Sequence, residues 1–242
     1  MKQPTKKDVI YLVIIAVLVA ALATMSVLYG IARAKEKKNE ASYYDRKCAS
    51  FAVQNANLSK GQIVFIGDSI TDLFPLDDHL SDLPLATYNR GIGGDTTGGV
   101  LARLKVSLYD LAPSEIVLMI GINDINGGIS RERILRNYQE ILCSIKQNLP
   151  TAKVFCLSVL PMHDTIEAYG VDLAQATVRI KEVNEGIAPL SAEYGYTYVD
   201  LFSEVSDGND RLLKALSDDG IHLNAAGFAL WTSVIRPYLP GD

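Results

Sequence analysis

Cysteine and histidine are both scarce: three of each in 242 residues. Three cysteines in a chain this long cannot make a disulfide framework, which excludes a small cross-linked scaffold. No internal repeat and no low-complexity tract is present. With 48% hydrophobic and 21% charged residues, the composition also excludes a disordered or collagenous chain. No Gly-Lys-Ser/Thr sequence closes a phosphate loop. Basic residues are outnumbered, and the formal net charge is −5. What remains is room for one full-sized domain or two small ones.

Mean hydropathy is nevertheless +0.13, slightly high for a soluble domain. The excess has one source. Val9 to Ile31 is a run of 23 residues without a charge, almost all Val, Ile, Leu or Ala. As a helix it would be about 35 Å long, enough to cross a bilayer core with some tilt. Tyr11 and Tyr29 sit near its ends, where amphipathic rings favour the headgroup region. Ala32-Arg33-Ala34 resembles a signal-peptidase site, but the apolar run is longer than a signal h-region. The expected organisation is a short tail (1–8), a transmembrane helix (9–31), a polar stalk (32–58) and one domain (59–242). Lys2, Lys6 and Lys7 precede the span, and Arg33, Lys35, Lys37 and Lys38 follow it. The positive-inside rule is therefore close to a tie. A single-pass protein with an extracytoplasmic C-terminal domain is the expectation, because a short N-terminal anchor most often serves to export the domain attached to it.

The first 41 residues hold seven Lys/Arg and three Asp/Glu, leaving 16 basic and 25 acidic residues beyond them. A domain at −9 does not seek nucleic acid through its net field. Within it, short apolar runs alternate with amphipathic stretches. Residues 63–66, 86–88, 116–120, 154–158 and 197–199 read as strands; 98–108, 131–149, 173–194 and 225–238 read as helices. Nearly all-apolar strands separated by helices predict a parallel five-stranded sheet covered on both faces, a three-layer α/β/α sandwich.

Ligands in such folds bind beyond the carboxyl ends of the strands. Four segments stand there: Gly67-Asp68-Ser69, Gly91 to Asp95, Gly121-Ile122-Asn123-Asp124, and Leu160 to His163. Ser69 follows a strand and opens a short helix, the position of an exposed nucleophile, although Gly-Asp-Ser also serves as a turn and N-cap. Its base must come from His79, His163 or His222. His79 lies in an acidic, solvated stretch. His222 has Asp219 three residues before it, a spacing that lets a carboxylate orient the ring, with Asp218 a less suitable alternative. The glycines at 91, 93 and 94 offer bare backbone N–H groups to an oxyanion, and Asn123 offers an amide or, equally, a cap.

Gly67-Asp68-Ser69-Ile70-Thr71, Gly91–Asp95, Gly121–Asp124 and Asp219–His222 together resemble, in order and spacing, the blocks of the SGNH hydrolases, the GDSL lipase/esterase superfamily. The likeness extends to the lysophospholipase-like and platelet-activating-factor acetylhydrolase-like branch and covers about residues 60–238. It implies a flavodoxin-like SGNH fold. It also implies Ser69 as nucleophile, His222 as base and Asp219 as its partner, with Ser69, Gly94 and Asn123 around the oxyanion. One departure is Ile122, where the family block carries Thr. Asp68, Asp95, Asp124, Met162 and His163 are expected near a substrate pocket. No cofactor and no metal are implied. The expected substrate is a carboxylic ester: a short acyl ester, a lysophospholipid or, alternatively, an acylated glycan that is deacetylated or transacylated. A catalytically silent, membrane-tethered binding domain is the reading from another class. Oligomeric state is left open.

Overall fold

The computed structural model describes residues 6–240, with side chains at 6–14, 16 and 31–42 outside the description. Two compact units divide the chain, Met1–Arg46 and Lys47–Asp242.

The second unit contains one five-stranded, all-parallel sheet: β1 (Ile63–Gly67), β2 (Thr87–Gly91), β3 (Glu115–Met119), β4 (Lys153–Leu157) and β5 (Thr197–Val199). The strand order is β2-β1-β3-β4-β5. Both β1 and β3 are buried along their whole length, which explains why they read as unbroken apolar runs rather than alternating ones. From β1 the chain steps to β2 on one side and then crosses back to β3 on the other. The crevice at this switch point opens at the carboxyl ends of β1 and β3.

Helices α4 (Thr97–Ala102), α6 (Arg131–Asn148) and α7 (Leu173–Glu193) pack side by side. Ile134, Tyr138, Ile141, Leu142 and Ile145 form the buried stripe of α6, at the helical spacing read from sequence, and Ser130 caps its first turn by accepting from Arg133 N–H. A second group joins α3 (Leu76–Leu80), α8 (Leu201–Val205) and α9 (Ala225–Ile235). Here Trp231 lies 4.6 Å from the Phe74 ring and 6.4 Å from that of Phe65 on β1. Two short helices complete the site, α2 (Ser69–Asp72) and α5 (Ile122–Asn126), each starting directly after a strand. The three-layer expectation holds. The expected helix 98–108 is instead α4 followed by a π-helical turn at Lys105–Tyr109.

The N-terminal region departs from the expected tail, span and stalk. A single 50-residue helix, α1 (Lys6–Asn55), runs through all of them. Among the described residues, no helix is long and apolar enough to cross a membrane. The expected transmembrane helix at 9–31 is therefore not found as a span. Its positions 9–14, 16 and 31 have side chains outside the described residues. The side chains described at 15 and 17–30 are all exposed. The compact unit that holds the sheet, Lys47–Asp242, takes in part of the stretch read as a stalk. Phe51 is the reason: its ring is 3% exposed and stacks on the Arg90 guanidinium at 4.6 Å. A segment that reads as polar with scattered alanine contributes one deeply buried aromatic.

Candidate active site

Ser69 is the first residue of α2, at the tip of β1. Asp68 caps that helix, its Oδ1 accepting from Ile70 N–H at 3.0 Å, and so fixes the turn that presents the hydroxyl. The turn is tight: a Cβ on Gly91 would fall 2.1 Å from Asp72 N, so only glycine lets the end of β2 approach α2. From the other side of the crevice comes the loop before α9. His222 Nε2 lies 2.8 Å from Ser69 Oγ, and His222 Nδ1 lies 2.6 Å from Asp219 Oδ2. The three side chains therefore form one hydrogen-bonded chain, Asp219–His222–Ser69.

The Asp219 carboxylate is heavily committed. Its Oδ1 accepts from the N–H groups of Ile221 (3.0 Å) and His222 (2.8 Å) and from Ser217 Oγ at 3.3 Å. Burial would raise its pKa, but these bonds and the imidazole prevail and hold it at about 2. An ionised Asp219 at neutral pH keeps the proton on Nδ1, which leaves Nε2 to accept from Ser69 Oγ–H. Asp218 does not face the ring; its carboxylate accepts from Asn224 Nδ2 at 3.4 Å.

Gly94 is exposed and has φ of +78°, a conformation that glycine adopts without strain. Among the described residues, the N–H groups of Ser69 and Gly94 donate to no protein acceptor. Asn123 Nδ2 donates to Asp95 O at 2.9 Å, which ties the end of β3 to the glycine loop and leaves its second N–H available. The three donors named from sequence thus all stand at the carboxyl ends of β1, β2 and β3.

The five residues expected near a substrate pocket, Asp68, Asp95, Asp124, Met162 and His163, are all buried, with no more than 5% exposure, and His163 also lines a cavity with Asp164, Leu212 and Lys214. Asp95 Oδ2 is paired with Arg103 Nε at 2.7 Å. The same guanidinium donates to Arg90 O (2.7 Å), Ser107 Oγ (2.8 Å) and Gly67 O (2.9 Å). It thereby joins β1, β2 and the glycine loop. Asp124 accepts from Thr97 N–H (2.8 Å) and Thr97 Oγ1–H (2.7 Å). Burial raises both carboxyls above the ordinary range, against the lowering effect of these partners. Asp68 is pushed up to about 7, chiefly by burial. His163 braces the catalytic loop: its Nε2–H donates to Ser217 O at 3.2 Å, its backbone N–H to Gly220 O at 3.0 Å, and its Nδ1 accepts from Thr165 N–H.

Arg103 was not anticipated. The one signal in the sequence was a lone Arg between Val100, Leu104 and Leu108 on an apolar helical face, eight residues after Asp95. Cys156 is buried with its thiol pushed up to about 11, far from thiolate chemistry, while Cys143 is only half-buried. Among the described residues, no cluster of three or more His, Cys, Asp or Glu is placed to hold a metal.

Comparison with known proteins places this geometry. The family model for GDSL-like lipases and acylhydrolases matches residues 65–230, more than half of the chain and all three members of the hydrogen-bonded chain. The protein belongs to the GDSL-like lipase/acylhydrolase family. Among curated relatives, platelet-activating factor acetylhydrolase IB subunit alpha2 of Gallus gallus is 38% identical over 102 residues, which cover 41% of this chain and 44% of that protein. The match thus spans less than half of the chicken protein. The Rattus norvegicus subunit is 29% identical over 170 residues, covering 69% of this chain and 71% of its own. A Streptococcus pneumonia structure described as a candidate platelet activating factor superposes with a TM-score of 0.81 at 27% identity, covering 87% of this chain and 99% of its own. The acetylxylan esterase Axe2 of Geobacillus stearothermophilus shares the fold, with a TM-score of 0.61 at 17% identity over 76% of this chain and 96% of that one.

Proposed function

We propose that the protein is a membrane-anchored serine esterase that cleaves short acyl esters or lysophospholipids through Ser69, His222 and Asp219. The observation that carries this reading is the unbroken chain from Asp219 Oδ2 to His222 at 2.6 Å and on to Ser69 Oγ at 2.8 Å. In the first half-reaction Ser69 Oγ attacks the ester carbonyl carbon as its proton passes to His222 Nε2. The carbonyl π bond opens to an oxyanion, which accepts from the N–H groups of Ser69, Gly94 and Asn123. Collapse breaks the bond to the alcohol oxygen, and His222 returns its proton to that oxygen. Water then repeats the sequence on the acyl-enzyme, releasing the acid and restoring Ser69.

The relatives named as platelet-activating factor acetylhydrolases support a small acyl group on a lipid alcohol. Anchoring is supported by the uncharged run 9–31, whose described side chains find no cover within the chain. The catalytic domain is then extracytoplasmic. One observation favours a carbohydrate ester instead. A cleft beside α5 is lined by Asn126, Gln175, Arg179 and the ring of Tyr169, which is 72% exposed. A solvent-facing aromatic among amide and guanidinium groups suits a sugar.

The full chain in detergent, with Ser69→Ala as control, decides between them. Turnover is compared on p-nitrophenyl esters of rising acyl length, lysophospholipids and acetylated xylo-oligosaccharides. The proposal expects Ser69-dependent hydrolysis with short acyl or lysolipid substrates preferred. A preference for the acetylated sugars overturns the lipid reading, and no Ser69-dependent turnover overturns the esterase. Alkaline carbonate extraction of membranes tests the anchor: retention in the pellet is expected, and release contradicts it.

A further inference from the structure

Lys47, near the end of α1, pairs with a residue of the short helix that Ser69 opens. Its Nζ lies 2.6 Å from Asp72 Oδ1, and the other oxygen of that carboxylate, Oδ2, accepts from Gly93 N–H at 3.1 Å. Asp72 closes the short helix that Ser69 opens, and Gly93 directly precedes Gly94 in the glycine loop. One carboxylate thus spans the nucleophile helix and the loop, and a lysine from the end of α1 holds it.

A second set of contacts joins the end of α1 to β2 and to the turn after α4. Asn55 Oδ1 accepts from Arg90 Nη2 at 2.9 Å, Asn55 Nδ2 donates to Val106 O at 2.7 Å, and Phe51 stacks on the Arg90 guanidinium. Arg90 is 3% exposed and stands one residue before Gly91, where β2 runs into the glycine loop. Its Nε has no partner among the described residues. Burial lowers its pKa to about 10, and its partners are the Phe51 ring, Asn55 Oδ1 and Asn89 O, which accepts from Nη1 at 2.8 Å.

We propose that residues 47–55 position the glycine loop for catalysis: Lys47 orients Asp72, and Asp72 holds Gly93 N–H so that Gly94 N–H points at the substrate carbonyl. This rests on the esterase reading above. Lys47 touches no reacting atom and is a positioning residue. Gly94, at positive φ and exposed, has little of its own to restrain it, so the restraint must come from its neighbours. An ionic acceptor on Gly93 is stronger than a neutral one. The Asp72 side chain is only 15% exposed, and loss of the lysine charge at 2.6 Å weakens its hold on Gly93 N–H.

The test is a double-mutant cycle in the full-length protein, comparing Lys47→Met, Asp72→Ala and the double variant, with Lys47→Arg as the conservative replacement. On p-nitrophenyl acetate, kcat is expected to fall about fivefold for K47M, as befits a partly exposed pair. D72A is expected to lose tenfold or more, since it removes the acceptor itself. KM stays within about twofold, K47R recovers most of the loss, and the double variant is no slower than D72A alone. Losses that multiply, or a K47M enzyme with wild-type kcat, overturn the proposal while leaving the esterase intact. A second readout does not need turnover: hydrogen–deuterium exchange of the 91–97 segment in a Ser69→Ala background. It is expected to quicken in K47M and to return in K47R; unchanged exchange overturns the strut. Should the wild type show no Ser69-dependent hydrolysis, the esterase reading fails and this exchange result judges the strut alone.

Discussion

The two sides of Ser69 are built on opposite principles. On the β2 side, the loop that carries Gly94 rests on the buried Asp95–Arg103 pair, both side chains at 2% exposure or less. Buried Asp124, held by Thr97, extends the same support. On the α9 side, Asp219 and His222 are 41% and 33% exposed, and the Asp219 carboxylate is held by partners within three residues of it. The difference suits the tasks proposed for them. Hydrogen-bond donors for an oxyanion must not move, and a buried, fully satisfied ionic network is rigid. A histidine that gains and loses a proton in each half-reaction must instead remain close to water.

Substitutions on the two sides should therefore fail in different ways. Asp219→Asn leaves the backbone bonds to one oxygen available but removes the charge that fixes the His222 tautomer. Turnover should fall by roughly 10⁴-fold with the thermal midpoint almost unchanged. Steady-state kinetics beside a melting curve would show both. Arg103→Met should do the reverse, costing about 3–5 kcal/mol of stability because Asp95 is left buried and unpaired. Urea unfolding measures that loss, and a variant as stable as the wild type would break the contrast.

Asn123→Ala stands between the two, since its side chain bonds Asp95 O as well as serving the oxyanion. A loss of about 10²–10³ in kcat is expected, with only a modest change in stability. The smallest effect concerns Asp68. Burial, opposed by the Ile70 N–H bond and aided by the carboxyls of Asp95 and Asp124, raises its pKa from 3.8 to about 7. The folded state then binds this proton more tightly than the unfolded chain, so stability declines as pH rises from about 4 to 7. Asp68→Asn keeps an oxygen for Ile70 N–H and cannot ionise. Its thermal midpoint should match the wild type near pH 4 and exceed it by several degrees at pH 8. A constant offset between the two would place the Asp68 titration elsewhere.

Much of the architecture could be read from the chain alone because its signals are local. The buried strands are short apolar runs closed by glycine or proline, and α6 carries its stripe at helical spacing. Ser69, Asp219 and His222 stand in short blocks that singly also read as turns and caps; it is the order of the blocks that singles them out, and the structure joins their side chains in one hydrogen-bonded chain. What escaped depends on distant partners. Nothing near Asp95 in the sequence says that its carboxylate pairs with Arg103, eight residues further on. Phe51 looked like part of a stalk because its partner, Arg90, lies far along the chain, on β2. The run at 9–31 reads as a membrane span from hydropathy, but among the described residues no helix is long and apolar enough to cross a membrane.

The central claim is that Ser69 is an activated nucleophile rather than the cap of a turn. Labelling the full-length protein with a fluorophosphonate, followed by peptide mass spectrometry, tests this without knowledge of the natural ester. The account predicts a single covalent adduct on Ser69, formed rapidly in the wild type and lost in His222→Ala. A folded wild-type protein that stays unlabelled, or one labelled equally well without His222, would contradict it.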